Sequence, residues 1–195
     1  IYMDIFRERQ VNRESYREIF SRYESIPRTR IVTHDITYMP LENGFSAQSR
    51  MTVVNRTREK MKRLILYLNP GLQIHKLAES GRDISFLRDG QAVVVERELN
   101  PGDSTVMEMV YGGKIDEDIY RVGVDNEAYF TPERQVDVER YGKRTAFVSR
   151  DYTLLIPEIL WYPVAIPPTV LETFREVDFT IYTLHVKNPD GLMVL

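Results

Sequence analysis

No cysteine occurs anywhere in the 195 residues, and that one absence removes thiol nucleophiles, disulfide frameworks, Cys-ligated zinc and iron–sulfur clusters together. It leaves the compartment open, because a chain without thiols tolerates either redox environment. An excess of charge of one sign is also missing. The 26 Lys and Arg stand against 29 Asp and Glu, a net charge of -3, which gives no electrostatic reason to expect nucleic acid or an anionic lipid surface as partner. Long apolar runs are lacking too. The longest, 64–68 and 154–168, are short or broken by Glu158 and prolines, far from the roughly 20 apolar residues of a spanning helix. Direct membrane insertion by this segment is therefore not expected. The chain opens on Ile1-Tyr2-Met3, without a charged n-region leading into an apolar h-region.

What is present is ordinary for one globular domain: 43% hydrophobic residues, ten Gly and ten Pro. At this length roughly 70% of the unfolded chain's surface can be buried, so a core needs no metal or disulfide to support it. The chain stops at Gly191-Leu192-Met193-Val194-Leu195, an apolar run after an Asn188-Pro189-Asp190-Gly191 turn. Natural termini are more often polar and frayed. Both ends read as cuts, and the chain is expected to be excised from a longer protein.

The hydrophobic period divides the chain in two. Tyr16, Ile19, Phe20 and Tyr23 fall at i, i+3, i+4 and i+7 among Arg and Glu residues, an apolar stripe on a charged rod. Asn12 reads as its cap and Pro27 as its end, so residues 1–27 are expected to form a helix lying on the edge of a β core. After Pro27 the period becomes two. Val32, His34, Ile36 and Tyr38 alternate with polar residues over 31–38, and Phe45, Ala47, Met51 and Val53 do so over 45–55. The pair reads as a hairpin. Further strands are expected over 61–68, 72–77, 84–87, 91–99, 105–111, 146–156 and 174–186. The turns between them include Asn69-Pro70-Gly71, Asp89-Gly90 and Asn100-Pro101-Gly102-Asp103. Residues 114–143 are charged and weakly patterned. With no second helical pattern, the expectation is an all-β antiparallel sandwich over 28–195, carrying one N-terminal α-helix.

Chemistry-bearing motifs fail one after another. His34, His75 and His185 form no HxH or HExxH pair, and each lies in an alternating strand. Asp116-Glu117-Asp118, with Asp125 nearby, lacks the spacing of a calcium loop and reads as a solvated turn. Gly142-Lys143-Arg144-Thr145 resembles the end of a phosphate loop, but the upstream glycine it requires is Asp137. There is no GxSxG elbow. An independent carboxylate hydrolase would need two carboxyl groups about 5 to 9 Å apart in a cleft, which spacing alone does not reveal. Asn55-Arg56-Thr57 is a formal glycosylation sequon of a kind that chance supplies. The twelve Tyr and eight Phe mostly occupy strand positions suited to cross-strand packing. Trp161 and Tyr162 are the exception, since they lie in a proline-rich loop. They are the candidate binding residues, either as a stacking platform for glycans or peptides or, more in keeping with tryptophan's size, as a plug for the end of the sandwich.

In order, the segments HDITYMPLENGFSAQSRMTVVNRT, MKRLILYLNPGLQIHKL, RELNPGDSTVMEMVYGG, LLIPEILWYP and FTIYTLHVKNPDGLMVL resemble the amino-terminal β-domain of the aminopeptidase N family of zinc peptidases. The resemblance covers Arg28 to Leu195 and implies a saddle-like β-sandwich. The preceding helix and the Trp161-Tyr162-Pro163 loop look more like divergent relatives in which a peptidase-like extracytoplasmic region is joined to a bacterial ABC-transporter permease. The departures are specific. Where the family carries a PC-x-D-x-P element, this chain has Trp161-Tyr162-Pro163-Val164-Ala165-Ile166-Pro167. The family's upstream Gln or Glu has no secure counterpart, and neither Asp151 nor Glu158 is carried over as functional. The family's zinc ligands and general base lie in the following domain. The resemblance thus implies an accessory domain that holds no cofactor and packs on a downstream peptidase-like domain, without catalysis of its own; the alternative is a glycan- or peptide-binding module.

Overall fold

The computed structural model describes residues 2–120, 122–123, 146–148, 153–166 and 179–187. It opens on α1 (Tyr2–Glu24) and then runs through β1 (Arg30–Leu41), β2 (Gly44–Val54), β3 (Leu64–Tyr67), β4 (Leu72–Glu79), β5 (Arg82–Asp83), β6 (Leu87–Asp89), β7 (Ala92–Val95), β8 (Ser104–Gly113), β9 (Phe147–Val148), β10 (Thr153–Leu154) and β11 (Ile181–Val186). Short 3-10 turns cover Glu117–Ile119 and Pro157–Ile159.

One sheet has the order β11-β1-β2-β8-β4-β5 and a smaller one the order β3-β7-β6, while β9 and β10 pair separately. Alternation in β1, β2 and β8 turns Ile36, Tyr38, Phe45, Ala47, Met51, Met107 and Met109 into one buried layer, as a sheet with one solvated face requires. All eight residues of β3 and β7 are buried. Strands without alternation need cover on both sides. Both belong to the same buried cluster as the large sheet's inner layer, and α1 closes their Tyr67 end, with the Phe20 and Tyr67 rings 6.0 Å apart. The approach is close at Gly90 (φ +51°), where a Cβ would come within 2.5 Å of Ile19 Cδ1. The mainly antiparallel sandwich with one N-terminal helix is therefore present, and each large side chain fully buried in it contributes about 1.5–3 kcal/mol.

Several expectations need correction. α1 begins about ten residues before Asn12, which is no cap: its side chain donates to Asp118 Oδ2 at 3.0 Å. The helix meets the small sheet at its β6–β7 turn, through Asp89, Gly90 and Gln91, and at Tyr67 at the end of β3. Of residues 84–87 only Leu87 joins β6, because the Ile84 N–H is taken by the Leu77 carbonyl of β4, and 91–99 shortens to β7 with Leu99 held to Met61 by an isolated bridge. The stretch 146–156 divides into two two-residue strands. β11 pairs with β1 in parallel, the one departure from antiparallel pairing among the described residues. Residues 174–178, most of 114–143 and the C-terminal apolar run lie outside the described residues. No described helix is long and apolar enough to cross a membrane.

Candidate functional site

The loop carrying Trp161 and Tyr162 is fixed from below by one side chain. Asn69, fully buried, donates its amide hydrogens to the carbonyls of Asp116 (2.9 Å) and Ile159 (2.7 Å). Its Oδ1 accepts the backbone N–H groups of Gly71 and Asp116, both at 2.9 Å. Two donors and two lone pairs are all used, so the amide is fully satisfied. Gly71 is required by this crowding, since a Cβ there would meet the Lys114 carbonyl at 2.3 Å. The Asn69 N–H donates to the carbonyl of Leu160 at 2.8 Å. Leu160 itself is left-handed (φ +56°), a conformation that costs a branched side chain about 1 kcal/mol or more and persists where surroundings hold it. Just beyond, Val164 and Tyr67 exchange backbone hydrogen bonds of 2.8 and 3.0 Å. The loop is thereby sewn to β3.

This anchoring directs Trp161 inward. Its side chain is only 9% exposed and meets Tyr38, Phe45 and Tyr162 edge to face at centroid distances of 6.0, 6.4 and 4.8 Å. It plugs the sandwich, and it offers no free ring face of the kind a stacking platform needs. Tyr162 is half-buried and lies between His34 (5.5 Å) and Tyr182 (5.7 Å); burial, with Tyr182 adding to it, pushes its phenol well up. Behind Tyr162 runs a polar line that the sequence did not reveal as a unit. His34 Nε2 is 2.9 Å from Ser49 Oγ, and Ser49 Oγ is 3.2 Å from the Tyr111 hydroxyl. All three are closed to solvent. A serine beside a histidine has the spacing of a nucleophile and its base, yet no substrate can reach this pair. Asp35 lies on the opposite, exposed face beside His185. Burial holds the His34 imidazole down at about 4, so it is neutral.

The acidic turn was expected to be solvated and instead receives α1. Asp118 accepts from Arg9 (2.8 Å) and Asn12, and Asp116 accepts from the Tyr16 hydroxyl at 2.6 Å. Arg13, fully buried, donates to the carbonyls of Asp118 and Tyr120. These carboxylates are occupied by the protein's own donors. Among the described residues no three His, Asp or Glu side chains converge as a metal site, and Asp125 lies outside them. Glu158 sits half-buried in the 3-10 turn; Asp151 is outside the described residues. On the outer face of the large sheet a cavity of about 240 Å³ opens between β1, β2 and β11. Thr33, Asp35, Arg50, Thr52 and Ile181 line it.

Fold and site together define a β-sandwich of mainly antiparallel strands with an N-terminal helix and a rigid, plugged end. No family model and no curated protein sequence matches the chain. Among solved structures it is similar to an M1 zinc metallopeptidase from Deinococcus radiodurans, with 18% identity and a TM-score of 0.55 over 82% of this chain and 32% of that one. A mutant form of an M1 zinc metallopeptidase from the same organism matches at 23% identity and a TM-score of 0.41, over 46% of this chain and 21% of that one. Legionella pneumophila aminopeptidase A, solved with aspartic acid, matches at 13% identity and a TM-score of 0.42, over 52% and 12%. The first match shows that the fold is one an M1 zinc metallopeptidase contains. The chain spans about a third of that protein's length.

Proposed function

We propose that the chain is the non-catalytic β-domain of an aminopeptidase-N-like region in a larger protein, where it packs on a downstream peptidase-like domain and shapes that domain's cleft. The observation that carries the reading is the likeness to the Deinococcus radiodurans metallopeptidase, which takes in 82% of this chain but only 32% of the enzyme. A domain used as a wall needs a rigid end. The loop over 157–166, held by Asn69 and paired to Tyr67, meets that requirement. In this proposal zinc and the general base belong to the following domain. The finer reading is an extracytoplasmic, periplasmic region of a bacterial membrane protein of the ABC-transporter permease type. Its support is the helix ahead of the sandwich and the Trp161-Tyr162-Pro163 sequence in the loop.

The test begins with the residues encoded after Leu195, where an HExxH followed by a distant Glu is expected. The 195-residue protein and the extended one are then compared for bound zinc and for release of amino-terminal residues from short peptides. Only the extended protein should bind one zinc and hydrolyse. Stoichiometric zinc with hydrolysis by the 195-residue protein would sink the accessory reading, and an extended chain without the motif would redirect it to a scaffolding or transport-coupled role.

A further inference from the structure

The large sheet ends on β11, and β11 is not built as a solvent edge. Phe179, just before it, is 103% exposed; within it Ile181 is 72% exposed and Tyr182 and Leu184 are each 51% exposed. The register sets Ile181 beside Thr33 on the outer face, and Tyr182 and Leu184 beside His34 and Ile36 on the inner face. Large apolar side chains thus stand in water on both faces of one strand. They present on the order of 500 Å² of apolar surface, the size of the largest patch on a typical monomer and of the kind that marks an interaction site. Among the described residues no strand pairs with the far edge of β11. Ile181–Val186 contains no proline and no lysine, and its register with β1 runs without a bulge, so the usual protections of an exposed edge are missing.

A second copy, a free peptide or a domain of the same polypeptide could each cover such a strip. The chain itself favours the last. Nine residues follow Val186, and fully extended they reach at most about 30 Å. The Deinococcus radiodurans structure, of which this chain spans 32%, has ample length beyond the shared fold. Anything joined at Leu195 would be held near β11 at an effective concentration on the order of millimolar, which a second copy at micromolar concentration does not match. We propose that residues 179–186 form the docking strip for the domain that follows in the same polypeptide, which hydrogen-bonds the open edge with a strand of its own and so continues both layers, covering Ile181 on the outer face and Tyr182 and Leu184 on the inner one. This rests on the accessory reading only in needing a following domain; that domain need not be a peptidase.

Amide hydrogen exchange over 179–187 tests it, measured in the 195-residue protein and in the protein extended through the next domain. The outward-pointing amides should exchange at least tenfold more slowly in the extended protein. An extended Ile181→Asp/Leu184→Asp variant should return them to the fast rate with the rest of the sandwich unchanged. Equal exchange in the two forms overturns the proposal, as does a coding sequence that stops at Leu195. Protection in the short protein that grows with concentration also overturns it and assigns the strip to a second copy. Zinc content and hydrolysis are read on the same samples. A protected strip without zinc or hydrolysis removes the peptidase reading alone, whereas zinc-dependent hydrolysis with an unprotected strip removes this docking alone.

Discussion

The imidazole Nε2 of His34 lies 2.9 Å from the hydroxyl oxygen of Ser49, with both residues closed to solvent inside the sandwich. His34 Nδ1 has no partner. A neutral ring with its proton on Nε2 leaves only a lone pair unmet, while a charged ring would leave an orphan N–H in an apolar layer beside Tyr162 and Tyr182. Asp35 next along the strand favours the charge but does not outweigh burial.

A pH dependence with a definite sign follows from this. The folded state holds His34 at about 4 and the unfolded chain at roughly 6.5, so between those values the unfolded state binds more protons. The contribution to stability is complete above about pH 6.5 and declines as pH falls towards 4, by about 3 kcal/mol in all. Urea unfolding of the protein and of a His34→Gln variant at pH 7, 5.5 and 4.5 checks it. The stability difference between the two should shrink across that range; a constant difference would show that His34 titrates normally.

Asn69 should be among the least replaceable residues. Asn69→Ala removes the donors to Asp116 and Ile159 and the acceptor for Gly71 and Asp116, at about 1–3 kcal/mol for each buried group left unsatisfied. A loss of about 3–5 kcal/mol is expected in denaturant unfolding. Asn69→Asp should fare no better, because it sets a carboxylate oxygen in place of Nδ2 against the carbonyls of Asp116 and Ile159. Loosening of the loop should show as a red shift of the fluorescence of Trp161, the protein's only tryptophan. An Asn69→Ala variant that unfolds within about 1 kcal/mol of the parent would show that Asn69 is not what holds the loop.

How much of this was legible in the sequence depends on where the partner groups lie. The β1–β2 hairpin shows in its alternation because its partners are neighbours. Residue parity places His34 with Ile36 and Tyr38, and also places Ser49 with Ala47 and Met51, so the buried polar pair left a readable trace. β3 and β7 show only as apolar runs, since a strand covered on both faces has no alternation to display. Asn69-Pro70-Gly71 reads correctly as a turn. Its wider role depends on Asp116 and Ile159 converging from 47 and 90 residues away, which no local pattern encodes. The parallel pairing of β11 with β1 is hidden for the same reason. Asn12 resembled a helix cap because its type fits one, but its partner Asp118 is 106 residues distant.

Two arginines one turn apart on α1 should behave differently. Arg9 pairs with Asp118 at 2.8 Å with its own side chain 41% exposed, and such solvent-screened pairs contribute about 0–1 kcal/mol. Arg13 is buried and donates to the carbonyls of Asp118 and Tyr120, so Arg13→Met leaves two acceptors unmet and should cost about 2–4 kcal/mol. Arg9→Ala should therefore be nearly silent in denaturant unfolding, while Arg13→Met should also speed amide exchange along 9–23. Equal losses at the two positions would contradict the burial difference.

Asn55 carries the formal glycosylation sequon, yet its amide is committed inside the protein. Nδ2 donates to the carbonyls of Glu59 (2.8 Å) and Leu99 (2.9 Å), and Oδ1 accepts from the Thr57 N–H (2.9 Å) and the Thr57 hydroxyl (2.7 Å). A glycan on Nδ2 would replace one of its two hydrogens, so at least one of the first two bonds is lost, and it would force a sugar into a position with no exposed surface. When the protein is produced in a glycosylating secretory host, the fraction that melts cooperatively should have an unmodified mass at Asn55. Thr57→Ala abolishes the sequon but keeps both Nδ2 bonds and the Thr57 N–H contact, so about 1 kcal/mol should be lost. Asn55→Ala removes all four and should cost about 2–4 kcal/mol. A cooperatively folded fraction with full glycan occupancy at Asn55 is the outcome that this buried geometry forbids.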